Sequence, residues 1–190
     1  MFIMRAFIAI ELPAQIKKVL AGVQNELKTS LPKISWVQPD NLHLTVKFLG
    51  EITDTQANGV RELMAAALKT TPPFTINLSQ LGAFPDLRRP RIIWAGSWET
   101  PAQLDQLVQK IQSGCLSLKI PLETRIYKTH VTLARIKNPV RETILAAALK
   151  AAQNTFAAQA LKINFKGITL FQSVLNAGGP IYSIVDRAEF

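Results

Sequence analysis

Only two histidines occur among the 190 residues, and both stand in one pattern: His43-Leu44-Thr45-Val46 and His130-Val131-Thr132-Leu133. Polar and aliphatic residues alternate in each, which is the two-residue period of a strand with one face in a core. Side chains at i and i+2 of a strand point the same way. Each segment therefore presents an imidazole and a hydroxyl from one face and anchors the other. Each is also followed by a helical stretch and then by more strands. This internal echo has too long a period for a solenoid and predicts two related lobes of mixed strand and helix, not a doubly wound parallel sheet. The fold class expected is α+β. Residues 1–190 are expected to form a single domain of two intertwined lobes, one carrying His43 and Thr45 and the other His130 and Thr132.

The remaining elements follow from periodicity and punctuation. Phe2–Glu11 reads as a buried strand. Pro13 suits a first helical turn, and Ile16, Val19, Leu20, Val23 and Leu27 follow at helical spacing. Ser35–Val37 is a short extended piece. Leu42–Leu49 alternates until Gly50 ends it, and Asp54 caps a helix to about Lys69. Phe74–Ala83 and Arg91–Ser97 read as two strands. Thr100-Pro101 opens a helix to about Leu118, in which Cys115 continues the apolar stripe and is read as a core residue. Ile120–Ile126 is expected to be extended and His130–Ile136 to be a strand. An Ala-rich helix then runs to about Ala157. Leu161–Leu175 and Ile181–Arg187 close the chain as a hairpin around Asn176–Pro180.

Charge and composition narrow the function. Lys and Arg total 22 against 13 acids, a net charge of +9. That surplus favours a polyanionic partner such as nucleic acid, nucleotide or anionic lipid. No apolar run reaches the ~20 residues of a membrane span, and the amino terminus lacks the pattern of a signal peptide. The single cysteine cannot form an internal disulfide. Together these lead us to expect a cytoplasmic protein without a membrane partner. With two His, one Cys and no CxxC or HExxH, a closed zinc site is not expected.

The chemistry of the paired segments follows from their geometry. An imidazole has an unperturbed pKa of about 6.5, so of two at one cleft, one can take a proton while the other gives one. In-line displacement at phosphorus needs that combination: a base for the attacking oxygen and an acid for the departing one. Threonine hydroxyls can donate to the non-bridging oxygens as charge builds on them. From the residues alone, either histidine can be the acid.

The sequence resembles the 2H phosphoesterases, and among them the bacterial RNA 2′,3′-cyclic phosphodiesterases, also called 2′-5′ RNA ligases. The resemblance rests on Arg5–Pro13 (RAFIAIELP), on Trp36 and Asn41–Glu51 (NLHLTVKFLGE), on Arg91–Trp94 (RIIW), on His130–Arg135 (HVTLAR), and more weakly on Phe171-Gln-Ser173 with Gly179 and Tyr182. It implies a bilobal fold: two pseudo-symmetric lobes of antiparallel sheet with outer helices around a central cleft. It also implies a metal-independent enzyme without cofactor that opens a terminal 2′,3′-cyclic phosphate to a 2′-phosphate. The same resemblance implies a reversible, ATP-independent joining of RNA ends. By position, His43 would protonate the leaving 3′ oxygen, His130 would activate water, and Thr45 and Thr132 would bind the phosphate. The partner implied is RNA ending in a 2′,3′-cyclic phosphate, tRNA halves included; a monomer with no obligate protein partner is expected. The family commonly has proline just before the second histidine, where this chain has Thr129.

Further substrate contacts are expected from Arg135, Lys47, Phe84 and Arg91. The window Arg88–Lys137 holds nine basic residues against three acids, a surface along which an RNA backbone can run. Strict alternation puts Lys47 on the His43 face. It points Arg135 away from His130 unless the strand bends near Ala134, so Arg135 reads either as a phosphate ligand or as a solvated surface charge. Phe84 reads either as a base-stacking residue or as core, Trp94 as core, and Trp36 as either. Two rival readings stand beside the RNA phosphodiesterase. One is the same acid–base pair acting on a small cyclic nucleotide or a 2′-5′ oligonucleotide. The other is a non-catalytic RNA-binding domain.

Overall fold

Five successive residues, Ala6–Ile10, are buried, as happens only where both faces of a strand are covered. In the computed structural model, which describes residues 3–176 and 179–190, they lie in β1 (Ile3–Glu11). β1 sits between β3 (His43–Thr53) and β9 (Gly167–Asn176), antiparallel to both. β10 (Gly179–Glu189) lies outside β9. On the other side β3 meets β7 (His130–Arg135), followed by β6 (Ile92–Gly96) and β5 (Gln80–Phe84). A two-residue strand, β2 (Ser35–Trp36), also pairs with β7. The result is one eight-stranded sheet in the order β10-β9-β1-β3-β7-β6-β5.

Four helices cover one face of this sheet. α2 (Asp54–Lys69) and α3 (Ala102–Ser117) pack together against the β3–β10 half. α1 (Ala14–Ser30) packs on α4 (Glu142–Ala158), which lies against β5. Leu44, Val46, Val131 and Leu133 all enter the core beneath these helices. Cys115 is fully buried there, as its place in the α3 stripe predicts. The two halves of the sheet join at a single backbone pair, Leu44 opposite Val131. This is the bilobal α+β arrangement that the repeated motif predicts.

Several boundaries differ from the sequence reading for identifiable reasons. Gly50 does not end β3. Its positive φ of 74° accommodates an irregularity, and pairing resumes to Thr53. The cap of α2 is Thr53 rather than Asp54: Thr53 Oγ1 accepts from Gln56 N while Gln56 Oε1 accepts from Thr53 N. The stretch 74–83 is two strands. It changes sheets at Ser79, because β4 (Thr75–Leu78) pairs with β8 (Leu161–Asn164) in a separate ribbon. The stretch 161–175 splits likewise into β8 and β9. Residues 121–126 are exposed and form no strand. Phe2, at the expected start of the first strand, and Ala177 and Gly178, in the expected hairpin turn, lie outside the described residues.

Candidate active site

The open face of the sheet is assembled by register. Leu44 stands opposite Val131 in antiparallel strands, so one step either way sets His43 beside Thr132 and Thr45 beside His130. The two motifs are therefore related by a local two-fold, with both imidazoles and both hydroxyls on the face away from the helices. All four residues are half-buried, while the intervening Leu44 and Val131 are fully buried. The Tyr127 hydroxyl donates to the Thr45 carbonyl at 3.1 Å and ties the chain before β7 to β3.

Each imidazole is oriented in the same way. Nδ1 of His43 bonds the Asn41 carbonyl and Nδ1 of His130 bonds the Lys128 carbonyl, both at 2.7 Å. A carbonyl only accepts, so Nδ1 carries the proton in both rings. That tautomer leaves Nε2 with a lone pair able to accept a proton. Burial pushes both pKa values down, His43 to about 4, although the backbone bonds partly offset it. The positive charge of Arg135 adds to the depression of both, and Lys17 and His130 add to that of His43.

The flanks of the site are set by a bulge that occurs at the same place in each motif strand. Thr45 pairs with Ala9 but Lys47 with Ile8, so Val46 is the extra residue in β3. Thr132 pairs with Trp94 but Ala134 with Ile93, so Leu133 is the extra residue in β7. A bulge shifts the alternation by one. Lys47, expected on the His43 face, therefore points into the core instead. It is 3% exposed, and its ammonium donates to Gln112 Oε1 at 2.7 Å and to the Pro121 carbonyl at 2.8 Å. Phe48 takes the face position that Lys47 loses. In β7 the same shift brings Arg135 round to the His130 face, which strict alternation denied it. Five positions after its histidine, one strand thus carries a phenyl ring and the other a guanidinium.

Aromatic rings back both histidines. Phe7 lies 4.8 Å from His43, stacks on Phe171 at 5.2 Å and meets Tyr182 edge-on at 4.9 Å. Phe84, expected either to stack on a base or to join the core, stands edge-on to His130 at 5.0 Å and stacks on Trp94 at 5.0 Å. Trp94 is buried as expected, but on the cleft face, its indole lying across Gly82 where a side chain would collide with it. Arg91 is exposed just before β6. Its main chain bonds Phe84 and Ile136 at 2.7 and 2.9 Å, and the charge that acts on both imidazoles is that of Arg135. Trp36 is half-buried, with Lys28 Nζ 5.8 Å over its ring.

Three supporting residues were not singled out by the sequence reading. Lys17 donates to the Asp40 carbonyl at 2.7 Å, and Asn41 Nδ2 to the Pro180 carbonyl at 2.8 Å. Together they fix the turn whose carbonyl holds His43. Gln24, buried on α1, donates to the carbonyls of Val37 and of the bulged Leu133, both at 2.8 Å. A lone amide inside an apolar helix stripe was the signal available for it. Lys17 carries none, since a lysine near a helix start is an ordinary surface residue, and Asn41 heads the NLHLTVKFLGE segment but nothing there gives it a role of its own. Among the described residues no group of three or more His, Cys, Asp or Glu side chains is placed to hold a metal ion. No helix among them is long and apolar enough to cross a membrane.

Comparison with known proteins agrees with this geometry. The chain is 33% identical over 190 residues to an RNA 2′,3′-cyclic phosphodiesterase of Aquifex aeolicus, covering 98% of this chain and 97% of that one. It is 30% identical to one of Methanocaldococcus jannaschii, covering 96% and 98%. The fold superposes on a crystal structure from Thermus thermophilus with a TM-score of 0.81 and 25% identity, over 98% of this chain and 97% of that one. It is also similar in fold to E. coli LigT crystallised with 3′-AMP (TM-score 0.79, 23% identity, 100% and 99% coverage). The model of the LigT-like phosphoesterases matches twice, over residues 10–94 and 97–182. One match thus contains each histidine motif, and the chain belongs to the LigT-like phosphoesterase family.

Proposed function

We propose that this chain is a phosphoric diester hydrolase, an RNA 2′,3′-cyclic phosphodiesterase, in which the two histidines exchange protons with the reacting oxygens. The observation that carries the reading is the meeting of the two motifs about the Leu44–Val131 pair, with each Nδ1 held by a carbonyl and each Nε2 left able to accept a proton. Relatives from bacteria and archaea that carry this name over nearly the whole chain support it.

In this mechanism His130 Nε2 takes a proton from a water molecule as the water oxygen attacks phosphorus. The bond from phosphorus to the 3′ oxygen breaks, and His43 Nε2–H protonates that oxygen. The product is a 2′-phosphate with a free 3′ hydroxyl. Thr45 and Thr132 donate to the non-bridging oxygens, and Arg135 balances their charge. Burial keeps both rings neutral in the free enzyme at pH 7. The substrate's negative charge raises their proton affinity, so the acid is loaded as substrate binds. With an RNA 5′ hydroxyl in place of water, the same atoms join two ends through a 2′-5′ bond, and the proton roles exchange in reverse. The acting unit is a single chain of two intertwined lobes in the cytoplasm, since one chain supplies every group the reaction uses. Its substrate is RNA with a 2′,3′-cyclic phosphate end, tRNA halves included.

The test uses an oligoribonucleotide ending in a 2′,3′-cyclic phosphate, with the product isomer read by phosphorus NMR. His43→Ala and His130→Ala each lower kcat by roughly 10²–10⁴ while RNA binding persists, and activity survives EDTA. Full activity in either variant, or a loss in EDTA restored by zinc, would refute the assignment.

A further inference from the structure

The surface leading outward from His130 is more apolar than a phosphate site requires. Beyond the Phe84–Trp94 stack, Trp98 stands edge-on to Trp94 at 5.6 Å. Trp98 is 69% exposed and Ile126 is 90% exposed, yet both line one hollow of about 180 Å³. Large apolar side chains left in water around a concavity beside a reaction centre mark a ligand contact rather than a folding element.

The hollow also has polar and cationic parts. Ser97, Thr100 and Thr129 line it, and the hydroxyls of Thr100 and Thr129 are bonded at 2.9 Å. Lys128 Nζ lies 5.6 Å over the Phe84 ring. Lys128 also lines a wider hollow of about 460 Å³ between β5 and α4, to which Lys150 belongs. Exposed ring faces next to lysines are the combination that single-stranded nucleic acid uses, with bases on the rings and phosphates on the ammonium groups.

We infer that the hollow formed by Trp98, Ile126, Thr100 and Thr129 is a second nucleotide subsite. It takes the nucleotide that precedes the cyclic-phosphate end. The base lies against Trp98 and Ile126, its edge meets the half-buried Thr100 hydroxyl that the buried Thr129 holds in place, and the linking phosphate faces Lys128. The inference rests on the proposed function and deepens it: the preferred substrate is an oligonucleotide, not a mononucleotide.

The experiment compares kcat/KM for a 2′,3′-cyclic mononucleotide with that for a trinucleotide of the same 3′ end. The wild-type enzyme favours the trinucleotide. Trp98→Ala lowers kcat/KM for the trinucleotide by about 5- to 150-fold, the range for removing a stacking ring, chiefly through KM. The ratio between the two substrates then approaches one. Lys128→Gln reduces the salt dependence of trinucleotide binding by about one unit of slope. Because Trp98 is exposed, a melting curve suffices to show that the variant folds, and Ile126→Ala gives a second reading of the same hollow. A wild-type enzyme indifferent to length overturns the subsite. So does a ratio unmoved by Trp98→Ala, or an equal loss on both substrates. Failure of the wild-type enzyme to open either cyclic phosphate would instead overturn the proposed function.

Discussion

Replacing Gln24 with leucine removes the support of the bulge that turns Arg135 toward the cleft. Gln24 is 1% exposed, and its amide nitrogen donates to the carbonyls of Val37 and Leu133 at 2.8 Å each. Leu133 is the extra residue of the β7 bulge, and Val37 N gives its carbonyl a second bond at 2.9 Å. Leucine fills a similar volume but donates nothing. The Val37 carbonyl then loses this buried donor, at about 1–3 kcal/mol, and the Leu133 carbonyl loses one of two bonds, at about 1 kcal/mol. Stability should fall by about 2–4 kcal/mol, or roughly 5–15 °C in Tm for a domain of this size. Without the amide, β7 relaxes toward regular alternation, which swings Arg135 off the histidine face. A hydrogen bond to a charged group is worth about 1.5–3 kcal/mol, so kcat/KM on a cyclic-phosphate oligonucleotide drops by about 10- to 150-fold. Thermal melts and steady-state kinetics measure the two effects separately. In an Arg135→Ala background, Gln24→Leu should cost little more activity, because both changes remove one interaction. A lowered Tm with unchanged kcat/KM, or losses that simply multiply, would refute the link from Gln24 through the bulge to Arg135.

The bulge in β3 makes the opposite prediction for its lysine. Lys47→Met, an unbranched apolar chain at a buried site, keeps kcat/KM within about threefold, while Arg135→Ala lowers it at least tenfold; comparable losses in both would put Lys47 back in the site. His43 is held near pKa 4 by burial against about 6.5 in the unfolded chain. Between those values the unfolded state binds the extra proton, so stability rises with pH through this window and is lost as pH falls from about 6.5 toward 4. Urea titrations at pH 5 and pH 7 should show wild type losing up to about 2 kcal/mol more than His43→Asn over that interval, and equal losses would contradict the buried neutral ring. Asn41→Ala removes the bond to Pro180 and frees the turn that orients His43. It should lower kcat by about tenfold with little change in KM, and rescue by Asn41→Asp would argue against a role as donor to that carbonyl.

The helices were readable because their determinants are local. The Ile16–Leu27 stripe of α1, the Cys115 stripe of α3 and the capping residues ahead of α2 lie within a few positions of the elements they specify, so at most the cap shifts by one residue, from Asp54 to Thr53. The breaks at Ser79 and between β8 and β9 were not readable, because a strand changes sheets according to which distant strand is there to pair with it. Phe7 and Trp94 sit in apolar runs that look the same whether they face a core or a cleft.

What the sequence determined unaided was the pair of His-x-Thr strands, the repetition that makes two lobes, and through them the kind of chemistry available. What the tertiary structure decided was the phase of those strands beyond the threonines. Val46 and Leu133 each add one residue that the neighbouring strand does not match, so Lys47 goes into the core, Phe48 replaces it on the face, and Arg135 turns toward the histidines. Alternation is a property of a single strand, whereas a bulge depends on its partner's register and on who satisfies the displaced carbonyl. For β7 that donor is Gln24, 109 positions away in the chain and adjacent only after folding.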